Sequence, residues 1–152
     1  YPDDQMTNDV YILGPDGVVA TTGTVAGETI KQAVPIKTAL AKLDTEVSDA
    51  DKQTKNLILV GGPCVNTLVA SLSTAAKFDY TCASWPGENF ALIKVVDDAF
   101  ASGKTALVIA GTRAQDTRDA TTALQQYDVS PYSGKLTGTK VKVIGTTVTT
   151  IA

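Results

Sequence analysis

Two segments of the chain repeat one pattern: a short apolar run, a glycine turn, and a longer stretch with small and polar residues on one side. The runs are residues 56–60 and 105–110, the turns are Gly61-Gly62-Pro63 and Gly111-Thr112-Arg113, and the longer stretches are residues 64–72 and 114–126. Short runs rich in branched aliphatic residues are typical of strands buried on both faces of a sheet. Glycine just past a strand lets the backbone turn sharply. The pattern predicts two strand–turn–helix units, with Gly61, Gly62, Pro63 and Gly111 as structural turns.

The rest of the chain contains shorter apolar or alternating runs separated by turn residues. Apolar residues with helical spacing predict a short helix that starts at Ile36 and ends before Val47. Residues 48–52 are typical of a polar turn or a single capped helical turn. Extended structure is predicted at residues 9–13, 18–24, 27–34, 78–82 and 90–96.

A length of 152 residues is enough to bury a sizeable core, and we expect one domain covering residues 1–152. The predicted class is α/β, with a mixed or mainly parallel central sheet flanked by helices and with β segments at both termini. The N-terminal β arm comprises residues 1–26 and the C-terminal β tail comprises residues 135–152. The tail alternates Thr and Lys with Leu, Val and Ile, which predicts either a hairpin on its own sheet or a strand exchanged between subunits.

Charge and composition argue against several classes of function. The formal net charge is −3 and no cluster of Lys or Arg is present, whereas a nucleic-acid partner requires a basic surface. No apolar stretch reaches the roughly 18 residues of a membrane span, so no transmembrane segment is predicted. The chain contains no histidine, the commonest general base near neutral pH. We therefore expect no catalytic residues, no cofactor and no metal.

The carboxyl ends of the two predicted strands are where open α/β sheets usually bind ligands. The first corner lacks the third glycine of a dinucleotide-binding motif, and Pro63 has no backbone N–H to hold a phosphate. Close packing of strand against helix is therefore favoured, with a small-molecule or glycan site near Gly62 and Gly111 as the alternative. The charged residues of 113–119 are interpreted as a helix cap and surface ion pairs, and the acidic residues of 44–51 as a solvated turn rather than a calcium site.

The chain has two cysteines, and neither lies in the Cys-x-x-Cys motif of a zinc ribbon or a thioredoxin-like site. A reactive thiolate at a helix N-terminus, a structural disulfide and two buried thiols are the remaining interpretations. We predict a disulfide between Cys64 and Cys82, which would stabilise the fold by about 3 kcal/mol through loop closure. Such a bond would place the protein outside a reducing cytosol.

Several blocks of sequence together resemble a known family. Residues 41–47 read Ala-Lys-Leu-Asp-Thr-Glu-Val, and residues 56–66 read Asn-Leu-Ile-Leu-Val-Gly-Gly-Pro-Cys-Val-Asn. Further blocks follow in the same order at residues 86–89, 91–96, 104–110 and 111–118. Over roughly residues 39–127 the chain resembles archaeal S-layer proteins of the methanogen and Thermococcales type.

The resemblance implies a structural role, because members of this family are self-assembling proteins of the cell surface without known catalysis. It implies an extracellular protein that forms a filament or an S-layer-type lattice. The implied partners are copies of the chain itself, as a homopolymer, together with other cell-envelope components. We further expect one terminal segment, residues 135–152 or residues 9–24, to add as a strand to a neighbouring subunit.

Overall fold

The computed structural model describes residues 41–151 in full and the backbone of residues 19–25 and 28–33. The chain divides into two compact units, residues 1–41 and residues 42–152. In the first unit, strands β1 (Val19–Val25) and β2 (Glu28–Ala33) pair antiparallel. They confirm the extended structure predicted for residues 18–24 and 27–34, whereas the strand predicted at residues 9–13 lies outside the described residues.

The second unit alternates short helices with strands. Its α1 helix begins with a capping box, in which the Ser48 hydroxyl accepts from the Asp51 N–H at 3.1 Å and the Asp51 carboxylate accepts from the Ser48 N–H at 3.1 Å. This confirms the capped turn predicted at residues 48–52. The elements after the 3-10 turn Asp44–Glu46 are α1 (Asp49–Thr54), β3 (Leu57–Val60), α2 (Thr67–Thr74), β4 (Ala91–Val96), β5 (Ala106–Gly111), α3 (Ala114–Gln125), β6 (Lys140–Ile144) and β7 (Thr147–Thr150).

These strands form a five-stranded mixed sheet in the order β3-β5-β4-β6-β7. The two predicted units meet in it, since β3 and β5 pair in parallel. The other neighbours, β5 with β4, β4 with β6, and β6 with β7, are antiparallel. The predicted α/β class with a mixed sheet and β segments towards both ends of the chain is therefore confirmed.

Each face of the sheet has its own apolar core. On one face, Leu59 of β3 and Val108 of β5 pack with Val69 and Leu72 of α2, and all four side chains are buried. On the opposite face, Ile93 and Ile109 pack beneath α3, together with its buried Ala120. A small side chain at this position lets the helix lie close to β4, β5 and β6, the strands it contacts.

Two predicted elements differ from the structure. In the described part of the predicted helix at 36–46, residues 41–43 have no regular structure and Asp44–Glu46 forms a 3-10 turn. The Glu46 carboxylate accepts from the Leu43 N–H at 2.8 Å, and such local side-chain bonds compete with helix formation. The strand predicted at residues 78–82 is wrong, because no residue of this segment pairs in a sheet. Its apolar content reflects the burial of Phe78 in the core beside α2 rather than strand pairing.

The C-terminal segment forms a hairpin on the sheet of its own chain. Strand β6 lies between β4 and β7, and its Val141 and Val143 are buried in the core beneath α3. The Ile151 N–H donates to the Lys140 carbonyl at 3.1 Å and extends the pairing by one residue. Of the two arrangements predicted for this tail, the structure has the hairpin, and strand exchange between copies remains a prediction.

Candidate functional site: the glycine corners, the disulfide and the open sheet edge

The first glycine corner lies where β3 ends and the chain turns towards α2. Gly61 has a φ of +107°, a conformation that favours glycine because it has no Cβ. A Cβ added to Gly62 would lie 3.8 Å from the Cβ of Ala110 on the neighbouring strand. The corner is thus packed against β5, in agreement with the structural-turn interpretation of residues 61–63.

The second corner, at Gly111, is filled by the first turn of α3. A Cβ at Gly111 would lie 2.5 Å from the Thr117 backbone nitrogen, 2.6 Å from its hydroxyl oxygen and 3.0 Å from the Arg113 carbonyl oxygen. These distances are too short for non-bonded atoms, so glycine is required for the close approach of strand and helix. Gly111 therefore packs directly against the first turn of α3, as the close-packing interpretation predicts.

The N-terminus of α2 is saturated by side chains of the same chain. The Asn66 side-chain oxygen accepts from the N–H groups of Leu68 at 3.0 Å and Val69 at 3.2 Å. The Asp44 carboxylate accepts from the Thr67 hydroxyl at 2.6 Å and from its N–H at 2.7 Å. The bond from the Thr67 hydroxyl, followed by that from its N–H, lowers the pKa of Asp44. The N–H groups that could hold a phosphate are therefore already bonded, which argues against the ligand-binding alternative.

The N-terminus of α3 is only partly capped. The Asp116 carboxylate accepts from the Arg113 N–H at 2.8 Å, as the capping interpretation predicts, but the Arg113 side chain accepts no bond from the first turn of the helix. Farther along the helix, the Gln115 side chain donates to Asp119 at 2.8 Å and accepts from Arg118 at 3.2 Å. Within the described residues, Arg118 and Asp119 thus bond to a neutral glutamine rather than forming the predicted ion pairs.

The acidic segment around α1 is neutralised by lysines. Asp49 lies 2.8 Å from Lys52, whose hydrogen bond lowers the pKa of Asp49. Asp51 lies 2.8 Å from Lys42, and the hydrogen bond from that ammonium group, followed by bonds from Ser48, holds the pKa of Asp51 well below its usual range. Among residues 41–151, no group of three or more acidic or cysteine side chains is placed to hold a metal ion. The carboxylates of Asp49 and Asp51 are thus paired with lysine ammonium groups of the same segment.

The predicted bond between Cys64 and Cys82 is present in the structure. It joins the corner after β3 to the irregular segment 78–90 that precedes β4. Both cysteines are exposed at the surface. Because both sulfur atoms are in the bond, neither cysteine is a free nucleophile.

The segment tied down by the disulfide is held to the sheet by stacked aromatic rings. Trp85 stacks between Phe78 and Phe90, with ring centroids 6.4 and 5.6 Å away, and Tyr80 meets it edge-on at 5.4 Å. The Trp85 indole N–H donates to the Thr112 hydroxyl at 3.0 Å. Thr112 in turn bonds to the backbone of the same segment, because its N–H donates to the Phe90 carbonyl at 3.0 Å. No local sequence pattern marks Thr112, because its role depends on contacts with residues 22 to 27 positions away.

Lysines of β4 and β6 border this aromatic cluster. Asp79 lies 2.9 Å from Lys94 and 3.5 Å from Lys140. Partial burial raises the pKa of Asp79, but the two ammonium groups lower it more, so that the net shift is downward. Lys142 lies 3.0 Å from Glu88 and 4.6 Å from the centroid of the Phe90 ring. These contacts add to the attachment of the segment to the sheet.

Strand β3 ends the sheet and leaves an apolar surface open. The N–H groups of Leu57 and Gly61 donate to β5, so the alternate residues Ile58 and Val60 direct their backbone groups away from it. Their side chains lie on the α3 side of the sheet, because their register partners Leu107 and Ile109 do. Ile58 is 70% exposed and Val60 is 53% exposed. The prediction that this run is buried on both faces is therefore wrong, because α3 packs on β4, β5 and β6.

A comparison with known protein families shows which family the chain belongs to. The model described as "S-layer like family, outer domain" matches residues 6–127. The chain belongs to this S-layer family. Its match begins within the first unit and ends just after α3, so β6 and β7 lie outside it.

Curated S-layer proteins of methanogens are similar to the chain. That of Methanothermococcus thermolithotrophicus is 43% identical over 94 residues, and that of Methanococcus voltae is 44% identical over 94 residues, in each case 62% of this chain. That of Methanocaldococcus jannaschii is 39% identical over 89 residues, 59% of this chain. The matches span only 15–16% of the relatives' own length. No solved structure matches the chain.

Membership of the S-layer family assigns the chain to the archaeal cell surface, outside the cell, as a structural component. The disulfide agrees with that location, since such bonds persist in oxidising surroundings. Within the described residues, no helix is long and apolar enough to cross a membrane.

Proposed function

We propose that this S-layer family chain is a non-catalytic building module of an archaeal cell-surface layer, and that it assembles with copies of itself into a filament or an S-layer-type lattice. The observation that carries the proposal is the family match over residues 6–127. The curated relatives are named S-layer proteins, and a surface layer consists of repeated copies of its subunits.

The interior of the second unit supports a structural role. Gly111 packs closely against α3, and at the start of α2 the backbone N–H groups are bonded to Asn66 and Asp44. The disulfide and the stacked rings of residues 78–90 attach a segment without regular structure to the sheet. These features support a structural module rather than a binding or catalytic one.

Electron microscopy of the purified full chain tests assembly. Concentrated protein is expected to form ordered filaments or sheets, and a regular repeat in their Fourier transforms distinguishes them from amorphous aggregate. A monodisperse monomer at all concentrations, by both microscopy and sedimentation, would contradict self-assembly of this chain.

Calorimetric titration tests the absence of a ligand site at the glycine corners. Nucleotides and sugar phosphates are expected to give no heat of binding, since the backbone N–H groups in the first turn of α2 are already bonded to Asn66 and Asp44. Micromolar binding that is lost in Gly62→Val or Arg113→Ala would replace the structural proposal with a binding function.

A further inference from the structure

The edge of β3 lacks the sequence features that usually prevent one sheet edge from pairing with another. Native edges carry lysine, proline or a bulge that discourages pairing with another chain. Residues 57–62, Leu-Ile-Leu-Val-Gly-Gly, contain no charge and no proline, and β3 keeps a regular register with β5. Within the described residues, β3 pairs with β5 alone. The edge therefore presents both backbone hydrogen-bonding groups and apolar side chains.

We propose that two copies of this chain join through their β3 strands, edge to edge and antiparallel, about a two-fold axis. This inference rests on the proposed self-assembly and names its contact. With the axis near Leu59, Ile58 of each copy lies opposite Val60 of the other, and the four side chains form one apolar cluster on the α3 side. Leu57 and Leu59 point to the other face, where Leu59 is buried against α2.

The hydrogen-bonding groups of the edge suit this arrangement. The N–H and C=O groups of Ile58 and the N–H group of Val60 face outwards. The Val60 carbonyl accepts from the Asn66 side chain at 3.1 Å and keeps a second lone pair for the other copy. In antiparallel pairing, residues whose backbone N–H and C=O groups point towards the partner strand face each other as hydrogen-bonded pairs, so Ile58 of one copy would pair in this way with Val60 of the other. A two-fold contact is self-complementary, so no second kind of surface is needed.

A second copy of the same edge fits β3 better than the opposite edge of the sheet does. Strand β7, at the other end, has the sequence Thr-Val-Thr-Thr, and its Val148 is packed against the core. Exposed apolar side chains are matched by the same side chains of another β3, and no like charges meet, since the strand is uncharged. In addition, β3 lies inside the family match and β7 lies outside it. Because a two-fold contact closes on itself, a filament or lattice needs a further contact elsewhere.

Sedimentation of the full chain carrying Ile58→Lys tests the contact. The substitution is expected to weaken dimer formation about 100-fold, because the symmetry introduces it twice and each copy costs about a factor of ten or more. The matched control is Ile144→Lys, since Ile144 is a similarly exposed aliphatic residue, at 52%, located on β6. Circular dichroism should show an unchanged fold for both variants, since both positions are at the surface.

A mixing experiment tests the antiparallel register. Ile58→Lys and Val60→Glu are each expected to be impaired alone, whereas their mixture should form heterodimers because lysine 58 of one copy faces glutamate 60 of the other. In a mixture of Ile144→Lys with Val60→Glu, Ile144→Lys should dimerise with itself, whereas Val60→Glu should not be restored to dimers, because no lysine faces its glutamate.

The outcomes separate this inference from the proposed function. If the unmodified chain stays monomeric, both self-assembly and the β3 contact are contradicted. If it assembles and Ile58→Lys assembles equally well, the chain polymerises through another surface and only the β3 contact is wrong. If Ile58→Lys is impaired but mixing restores nothing, the edge binds a different segment, such as residues 1–40 of another copy, and the two-fold arrangement is overturned.

Discussion

Removal of the Cys64–Cys82 disulfide should destabilise the second unit by about 3 kcal/mol. The bond closes a loop across a sequence separation of 18, for which the chain-entropy relation yields about 3.2 kcal/mol at 25 °C. Both cysteines are exposed, so replacing them with alanine removes little buried apolar surface. We therefore expect Cys64→Ala/Cys82→Ala to lose the loop-closure contribution and little else, with a fall in melting temperature of roughly 10–20 °C for a unit of this size.

Urea unfolding followed by tryptophan fluorescence measures this change directly. Trp85 is the chain's single tryptophan and stacks within the segment that the disulfide ties down, so its emission reports on the unfolding of this unit. The denaturant slope should rise slightly in the double variant, since the unfolded chain without the crosslink exposes more surface.

Two controls belong to the same experiment. Val65→Ala, next to Cys64 and at a residue 77% exposed, should change the free energy of unfolding by less than about 0.5 kcal/mol. The unmodified chain in reducing buffer should match the double variant. A loss below about 1 kcal/mol in the double variant would refute the reasoning, because the loop would then be ordered without its crosslink.

Two further substitutions test the packed corner and the start of α2. Gly111→Ala should destabilise the unit by roughly 1–3 kcal/mol in urea unfolding, because the new methyl group would lie 2.5 Å from the Thr117 backbone nitrogen. The control Gly87→Ala should be close to neutral, since a Cβ there meets nothing within 4 Å. Equal effects of the two substitutions would contradict the packing argument. Asp44→Asn should lower stability at neutral pH and make stability less dependent on pH below about 4. The bonds from Thr67 lower the pKa of the folded Asp44, so its stabilisation is present above the unfolded pKa and is lost as pH falls through the folded one. Parallel acid-unfolding curves for Asp44→Asn and the unmodified chain would show that this carboxylate does not stabilise the fold.

Sequence alone determined the elements whose signals are local. The strand–turn–helix units around Gly61 and Gly111 follow from short branched aliphatic runs that end in glycine, and the cap at Ser48 follows from Asp51 three residues later. The family resemblance over residues 39–127 was likewise carried by blocks of adjacent residues, and the family match confirms it. The disulfide was predictable because the chain has only two cysteines and hence one possible pair.

Tertiary structure decided whatever depends on neighbours distant in sequence. Residues 78–82 have apolar content typical of a strand, but Phe78 is buried in the core with Leu59 and Leu72, and its segment has no partner strand. Periodicity reports that a side chain is buried and cannot distinguish burial by rings from burial in a sheet. Thr112 and Asp44 acquire their roles only when folding brings residues 22 to 27 positions away within hydrogen-bonding distance.

The position of each strand in the sheet was also beyond the sequence pattern. The runs of β3 and β5 are equally apolar, and both were predicted to be buried on two faces. Insertion of β5 between β3 and β4 buries Val108 and Ile109, whereas β3 becomes an edge with Ile58 exposed. An apolar run indicates that the side chains of a strand are stabilised by burial. The order of strands in the sheet determines whether the same chain buries them or leaves them exposed to another molecule.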